Sequence, residues 1–423
     1  MKRQQRNGKC IIVSVQSIVK GVDRKFMSML FCLLGVAYCP SAQTPPTIII
    51  SITEAEARAK NNLQYGINNQ QINKGRLQAN TATIFSKTGV FAENEDMRPG
   101  DNKGILKVGA TQSVAWPGLY KAQKDLYNEQ AKYYETNAAV LDVEIKKEVR
   151  TAYYQLWYLQ DKQKLFNRLD SIYTTLKNAA VLKVKTGDSP GLDSIAANIR
   201  MMELKAMLLQ TAEQVKMEQQ ELMQLLTTTD RVLPLSTPLA KLVMPVIYTD
   251  SVHPVLALQS QNISIANAQT VVIRNENKPE FSGRFFSQRL WGARDPFAGF
   301  SIVAAFPLFG ANAYRNKIKA AQADILLQQK QYDYNRMQVA TRQIKMEQEV
   351  AKNKSLLSFY ESAGLSQANE IMKASSLAYR GGEINFAELS QLLNQAIEIQ
   401  KNYLESLNEY NQSVIQYYYY TNQ

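Results

Sequence analysis

The chain has 423 residues and a formal charge of +12, but its first 42 residues hold seven Lys or Arg against one acid, so about half of that charge is local to one end. The remainder is spread along polar faces with no compact basic stripe, which argues against nucleic-acid binding. All three cysteines (Cys10, Cys32, Cys39) lie in the same first 42 residues, so the rest of the chain has neither disulfide nor thiolate chemistry.

The basic start leads into an apolar run from Phe26 to Ala37, then Cys39-Pro40-Ser41-Ala42. This order reads as a secretory signal peptide over residues 1–42, cleaved before Gln43. The apolar run is too short for a membrane-spanning helix, and no later stretch reaches the ~18 apolar residues that one needs. Translation from Met27 would shorten an unusually long basic segment. Cys39 raises a lipid-anchor alternative, against which the bulky Tyr38 stands.

The chain then reads as two copies of one pattern, residues 43–252 and 253–423. Thr53 and Glu56 fit a capping box at the start of a helix that runs to about Asn80. Alternation of period two predicts strands over about 82–91 and 103–116. A long helix over 118–185 follows, free of proline and, after Gly118, of glycine. Its apolar residues Ile145, Val149, Ala152, Leu156 and Leu159 alternate in spacings of four and three, the seam of a helix packed lengthwise on partners. At ~1.5 Å per residue it would reach roughly 100 Å.

A Gly/Pro turn, a return helix over 192–227 and a proline-bearing linker over 228–252 complete the first copy. The second predicts a helix from about Val255 to Glu276 and strands over about 280–288 and 297–306. A long helix over 311–379 and a return helix over 386–420 end it. Trp116-Pro117 matches Phe306-Pro307 at an offset of 190, and Lys185-Thr186-Gly187-Asp188 matches Arg380-Gly381-Gly382-Glu383 at 195. That period is too long for a solenoid unit, so it marks a duplicated half.

Two strand pairs cannot close a barrel, yet each strand has about the length and one-sided apolarity of a membrane β-strand. Open edges cannot face lipid, so copies would pool their strands, and three chains would give twelve. The other reading is a small soluble sheet capping a helical rod. Tyr153, Tyr154, Trp157, Tyr158 and the run Tyr417 to Tyr420 read as contacts between helices, not as a ligand cage.

Enzymatic chemistry finds no support: there is no G-x-S-x-G, Walker loop or H-E-x-x-H. His253 is the only histidine and cannot build a zinc or copper site alone. Met201, Met202, Met207, Met217 and Met223 read as helix packing in preference to a copper site. We expect no catalytic residue, no cofactor and no resident metal.

The duplicated helix–strand–strand–helix order, the proline-ended second strand and the glycine turns resemble the TolC-type outer-membrane efflux family. The most telling stretches are Phe300 to Gly310 and Ala378 to Phe386; Ser189-Pro190-Gly191 departs from the usual apolar stretch at the first turn. Thr88 to Lys124 is similar to the heavy-metal cation branch, of cobalt–zinc–cadmium and copper type. The resemblance implies a mainly α fold with β, a homotrimer with a twelve-stranded barrel in outer-membrane lipid and an α-helical barrel through the periplasm, residues 228–252 forming an equatorial linker. It implies a passive duct linked by a periplasmic adaptor to an inner-membrane pump of RND type.

On that resemblance, Lys185, Thr186, Gly187, Asp188, Arg380, Gly381, Gly382 and Glu383 would form the adaptor-docking turns. Asp188, Asp193, Glu383 and Glu388 would line a cation-attracting constriction, helix capping being the other reading for Asp188 and Glu383. Trp116, Pro117, Phe306 and Pro307 mark the strand-to-helix junctions. Drug efflux or type I protein secretion through the same duct is the nearest alternative, and a periplasmic adaptor or coiled-coil scaffold is the alternative from another class.

Overall fold

The structure, a computed structural model, describes residues 46–96, 100, 104–187, 190–235, 237–244, 252–290, 297–307 and 309–422. The chain divides into two units, Met1–Pro46 and Thr47–Gln423, and the second holds every element described below. The expected signal peptide and Asp188 lie outside the described residues.

In chain order the elements are β1 (Thr47–Ile49), α1 (Ile52–Ala59), α2 (Leu63–Thr81), β2 (Gly89–Glu95), β3 (Ile105–Val114), α3 (Pro117–Thr186), α4 (Gly191–Leu225) and β4 (Arg231–Leu233). Then come α5 (Pro254–Glu276), β5 (Glu280–Leu290), β6 (Phe297–Ala305), α6 (Ala311–Phe359), a π turn (Tyr360–Gly364), α7 (Leu365–Gly381) and α8 (Phe386–Thr421). The axis of the fold is α3, whose 70 residues start with Pro117 in the first turn, where its missing N–H costs nothing. Gly187 ends it at φ 82°, a left-handed conformation that glycine adopts without a Cβ penalty. Lys183 and Lys185 in the last turn complement the negative end of the helix dipole.

The core lies halfway along α3. Ile145, Val149, Leu156 and Tyr153 are buried there against Leu222, Leu226, Leu407, Val414 and Ile415 from α4 and α8. Among the described residues of the proline-bearing linker, side chains pin the backbone. The Leu242 N–H donates to Asn411 Oδ1 at 2.8 Å and Asn411 Nδ2 donates to the Ala240 carbonyl at 2.9 Å. The Leu239 N–H donates to the Asp161 carboxylate at 2.6 Å, and Trp157 Nε1 to the Thr237 carbonyl at 2.8 Å. Tyr153, Tyr154, Trp157 and Tyr158 are all buried in this core. A second cluster, with Leu176, Ala180, Ala197, Tyr379, Phe386, Leu389 and Leu393, fills the end near the glycine turns.

Several local expectations need correction. Ser51, not Thr53, caps α1, its Oγ accepting from the Glu54 N–H at 3.2 Å, while Glu56 pairs with Arg150 at 2.6 Å. The single helix expected to Asn80 is broken at Asn62, whose Oδ1 caps α2 and whose Nδ2 donates to the Leu225 carbonyl at 2.8 Å. The first strand lies at Gly89–Glu95 and not at 82–91. Gln112 explains the shift: its amide donates to the Ser86 carbonyl at 2.6 Å and accepts from Thr88 Oγ1 at 2.5 Å, so a side chain replaces the ladder before Gly89.

The strand expected over 103–116 is shorter, ending at Val114 as the Ala115 N–H turns to the Tyr120 hydroxyl at 3.0 Å. The helix expected over 311–379 is interrupted by the π turn, where a Cβ on Gly364 would come within 3.0 Å of the Tyr360 ring and would touch Ile399 of α8 at 3.4 Å. The parallel pair β1–β4 was not expected at all.

Candidate functional site: the four-stranded sheet and the glycine turns

The larger sheet has the order β2-β3-β5-β6, antiparallel throughout. Register sorts its residues into two faces. Val90, Ala110, Phe285 and Phe300 form one row, Ala92, Val108, Ser287 and Ala298 the next, and Val114, Phe281 and Ala304 a third. This face is mainly apolar and open, with Val90, Phe300 and Ile302 82%, 78% and 75% exposed; Gln112 interrupts it, and Asn94 and Arg289 flank Leu106 at its far end. The opposite face carries Glu93, Lys107, Thr111, Ser282, Arg284 and Gln288, and it is the more enclosed side along β2 and β5. A strand pair with an apolar outer and a polar inner face has the polarity of a barrel wall in lipid. The strands of 10, 11 and 9 residues (β3, β5, β6) match the ~9–11 that a tilted membrane strand needs.

The helices repeat the arrangement of the sheet. Beside it, α2 packs on α3, α3 on α5 and α5 on α6; toward the glycine turns, α4 packs on α3, α3 on α8 and α8 on α7. Each layer is therefore a row of four, and among the described residues its end members have one neighbour within their row, α6 also reaching α8 of the other layer. The end helix α4 shows what that leaves. Leu192, Ile195, Ile199, Met202, Ala206 and Leu209, spaced by three and four, are all exposed. This is a heptad seam without its partner helix.

Trp116 and Phe306-Pro307, 190 positions apart in sequence, come together at the sheet–helix boundary. They line one groove with Leu119, Asn275 and Glu280. Trp116 is the N-cap residue of α3, and its ring lies 6.3 Å from that of Phe281. Exposed aromatic residues here, Phe306 and Phe309 among them, suit the interfacial aromatic girdle of a membrane barrel.

The two glycine turns also share one end of the molecule. Lys183 Nζ donates to the Tyr379 carbonyl at 2.9 Å and stands 4.3 Å from the centre of its ring, tying the end of α3 to the end of α7. Gly187 and Gly382 take φ of 82° and 79°. Lys185, Thr186, Gly187, Arg380, Gly381, Gly382 and Glu383 are all exposed. Burial, and then the nearby Asp193 carboxylate, push the Tyr379 hydroxyl above its usual range. Glu388 closes a capping box with Asn385: its N–H donates to Asn385 Oδ1 at 2.9 Å and its carboxylate accepts from the Asn385 N–H at 3.2 Å. Glu383 instead gives its backbone N–H to the Ala378 carbonyl at 2.9 Å, part of the turn that ends α7.

Sequence reasoning missed three features. Glu93, Glu95, Lys107 and Arg284 pair on the inner face of the sheet, and only the alternation of β3 hinted at this by placing Lys107 opposite the apolar positions. His253 caps α5, with Nδ1 accepting from the Val255 N–H at 3.3 Å and Nε2 donating to the Tyr419 carbonyl at 3.0 Å. Burial holds this imidazole below its usual pKa range, partly offset by the bond to Tyr419. Asn411 and Asp161 hold the linker. Among the described residues no group of three or more His, Cys, Asp or Glu is placed to hold a metal ion, and no helix is long and apolar enough to cross a membrane.

No family model and no curated protein matches the sequence. Solved structures do match the fold. A membrane protein from Pseudomonas aeruginosa aligns with a TM-score of 0.74 at 14% identity, over 88% of this chain and 91% of that one. CusC, described in terms of folding and transmembrane channel formation, aligns at 0.72 with 12% identity, over 91% and 95%. The outer membrane protein VceC from Vibrio cholerae aligns at 0.70 with 12% identity, over 88% and 95%. The chain has the fold of solved bacterial outer-membrane channel proteins.

Proposed function

We propose that the protein is a passive exit duct of the bacterial outer membrane, formed by three copies. The observation that carries this reading is the stacking of rows open at the same two edges. β2, α2 and α4 lie on one edge and β6, α6 and α7 on the other. Rotating identical copies about one axis would set β6 beside β2 of the next copy, α6 beside α2 and α7 beside α4. The strand directions suit it, because in a row of four alternating strands β6 runs antiparallel to the next β2. An even count per chain closes without a parallel seam, and three copies give twelve strands. The apolar face then meets lipid and the exposed seam of α4 gains a helix.

In this reading the helical tube descends through the periplasm to the glycine turns. Lys185, Thr186, Gly187, Asp188, Arg380, Gly381, Gly382 and Glu383 meet a periplasmic adaptor, which links the duct to an inner-membrane pump of RND type. Asp188, Asp193 and Glu383 attract cations there, and Glu388 adds its charge while capping α8. The protein carries no catalysis. Heavy-metal cations are the leading cargo, on the resemblance of Thr88 to Lys124 to that branch; drugs or secreted protein are the alternative. A deletion strain tests the cargo. Hypersensitivity to zinc, cobalt, cadmium or copper salts, restored by the gene, supports cations. Sensitivity to dyes and bile salts with normal metal tolerance keeps the duct and removes the metal assignment.

A further inference from the structure

The inner face of the sheet has charges that close on one another. Glu93 of β2 pairs with Arg284 of β5 at 2.9 Å across the intervening β3, and the guanidinium lies 4.0 Å from the centre of the Phe91 ring. Lys107 of β3 pairs with Glu95 of β2, and its ammonium stands 5.7 Å from the centre of the Phe286 ring. Each cation thus has both a carboxylate and an aromatic face as partners. The rings lie along the wall: a Cβ on Gly299 would come within 2.6 Å of Phe286 Cζ, so the glycine provides the hollow in which that ring rests. Among the described residues, the only other charged group on this face is Glu280, at the helical end of β5 beside the junction groove.

We propose that the charges within these two ion pairs cancel along the body of the barrel wall, leaving only Glu280 at its helical end among the described residues, so that the paired stretch passes ions of both signs and cargo is not selected there. The inference rests on the reading of the polar face as a lumen wall. In a narrow, low-dielectric-walled passage a fixed charge concentrates counter-ions, so a ring of uncompensated Glu93 would favour cations and a ring of uncompensated Arg284 would favour anions. Paired, they cancel. Arg284 and Glu93 then keep the exit unselective, each compensating the other.

The test is the reversal potential of single channels in planar bilayers under a potassium chloride gradient. Arg284→Gln is expected to move it toward the potassium equilibrium potential and Glu93→Gln toward that of chloride. The double variant is expected to return it to the wild-type value. Lys107→Gln and Glu95→Gln repeat the pattern with the second pair, and carry the test if an Arg284 variant does not assemble. Conducting channels whose reversal potential ignores all four single substitutions overturn this inference and leave the duct standing. Wild-type protein that forms no channel overturns the duct reading, and this inference with it.

Discussion

The middle of the molecule and its two ends are built on opposite plans. Around Leu156 the chain completes its own core: four long helices, a short parallel strand pair and a linker close on one another, and Tyr153, Leu156 and Val414 have no exposed surface. At the sheet and along α4 the chain covers one side only, leaving Phe300 and Ile302 open at the first and a heptad seam open at the second. The difference separates stability from function. One chain secures the middle and the packing beneath the glycine turns, whereas in the proposed trimer other molecules would cover the open faces of the sheet and of α4.

The strongest way to break this contrast is to truncate one apolar residue in each region. Leu156→Ala removes a fully buried side chain and is expected to cost about 2–5 kcal/mol in unfolding of the isolated chain. Phe300→Ala removes a larger but exposed one and is expected to cost under about 0.5 kcal/mol in the same experiment, while reducing recovery in the membrane fraction. Equal losses of stability would contradict the division. At the turns, Gly187→Ala and Gly382→Ala place a Cβ at φ of 82° and 79° and are expected to cost roughly 1–2 kcal/mol each. Hydrogen exchange should find that loss in the last turns of α3 and α7, with the core around Leu156 unchanged.

The smallest effect concerns pH at the middle. Folding keeps the His253 imidazole neutral, because burial disfavours the cation and Nδ1 is committed as an acceptor to the Val255 N–H. The unfolded chain takes up the proton first as pH falls below ~6.5. Stability is therefore full above that value and declines below it, by at most ~1.4 kcal/mol per unit. His253→Asn, which keeps a cap without the titration, should flatten the acid limb of the stability curve between pH 6.5 and 5.

What could be read from the chain was whatever repeats locally. The helix Pro117–Thr186 was legible because no breaker interrupts its spacing of fours and threes, and both junctions were legible because proline stops each second strand. The β1–β4 pair was not, since each strand has three residues and its partner lies far along the chain. The start of β2 was misplaced because the alternation continues through residues 83–88, where the Gln112 side chain takes the place of a ladder. Nothing in Tyr360-Glu361-Ser362-Ala363-Gly364 announces a π turn except its glycine, over which the Tyr360 ring lies. Of the candidate site, the turn glycines were visible as residues. The pairing of Lys183 with Tyr379, and of Glu93 with Arg284, needed the fold.

Native mass measurement of the protein extracted from membranes in detergent tests the central claim most directly. Closure of the open rows predicts particles of three chains that require detergent to stay dispersed. A single chain that remains in solution without detergent would contradict it.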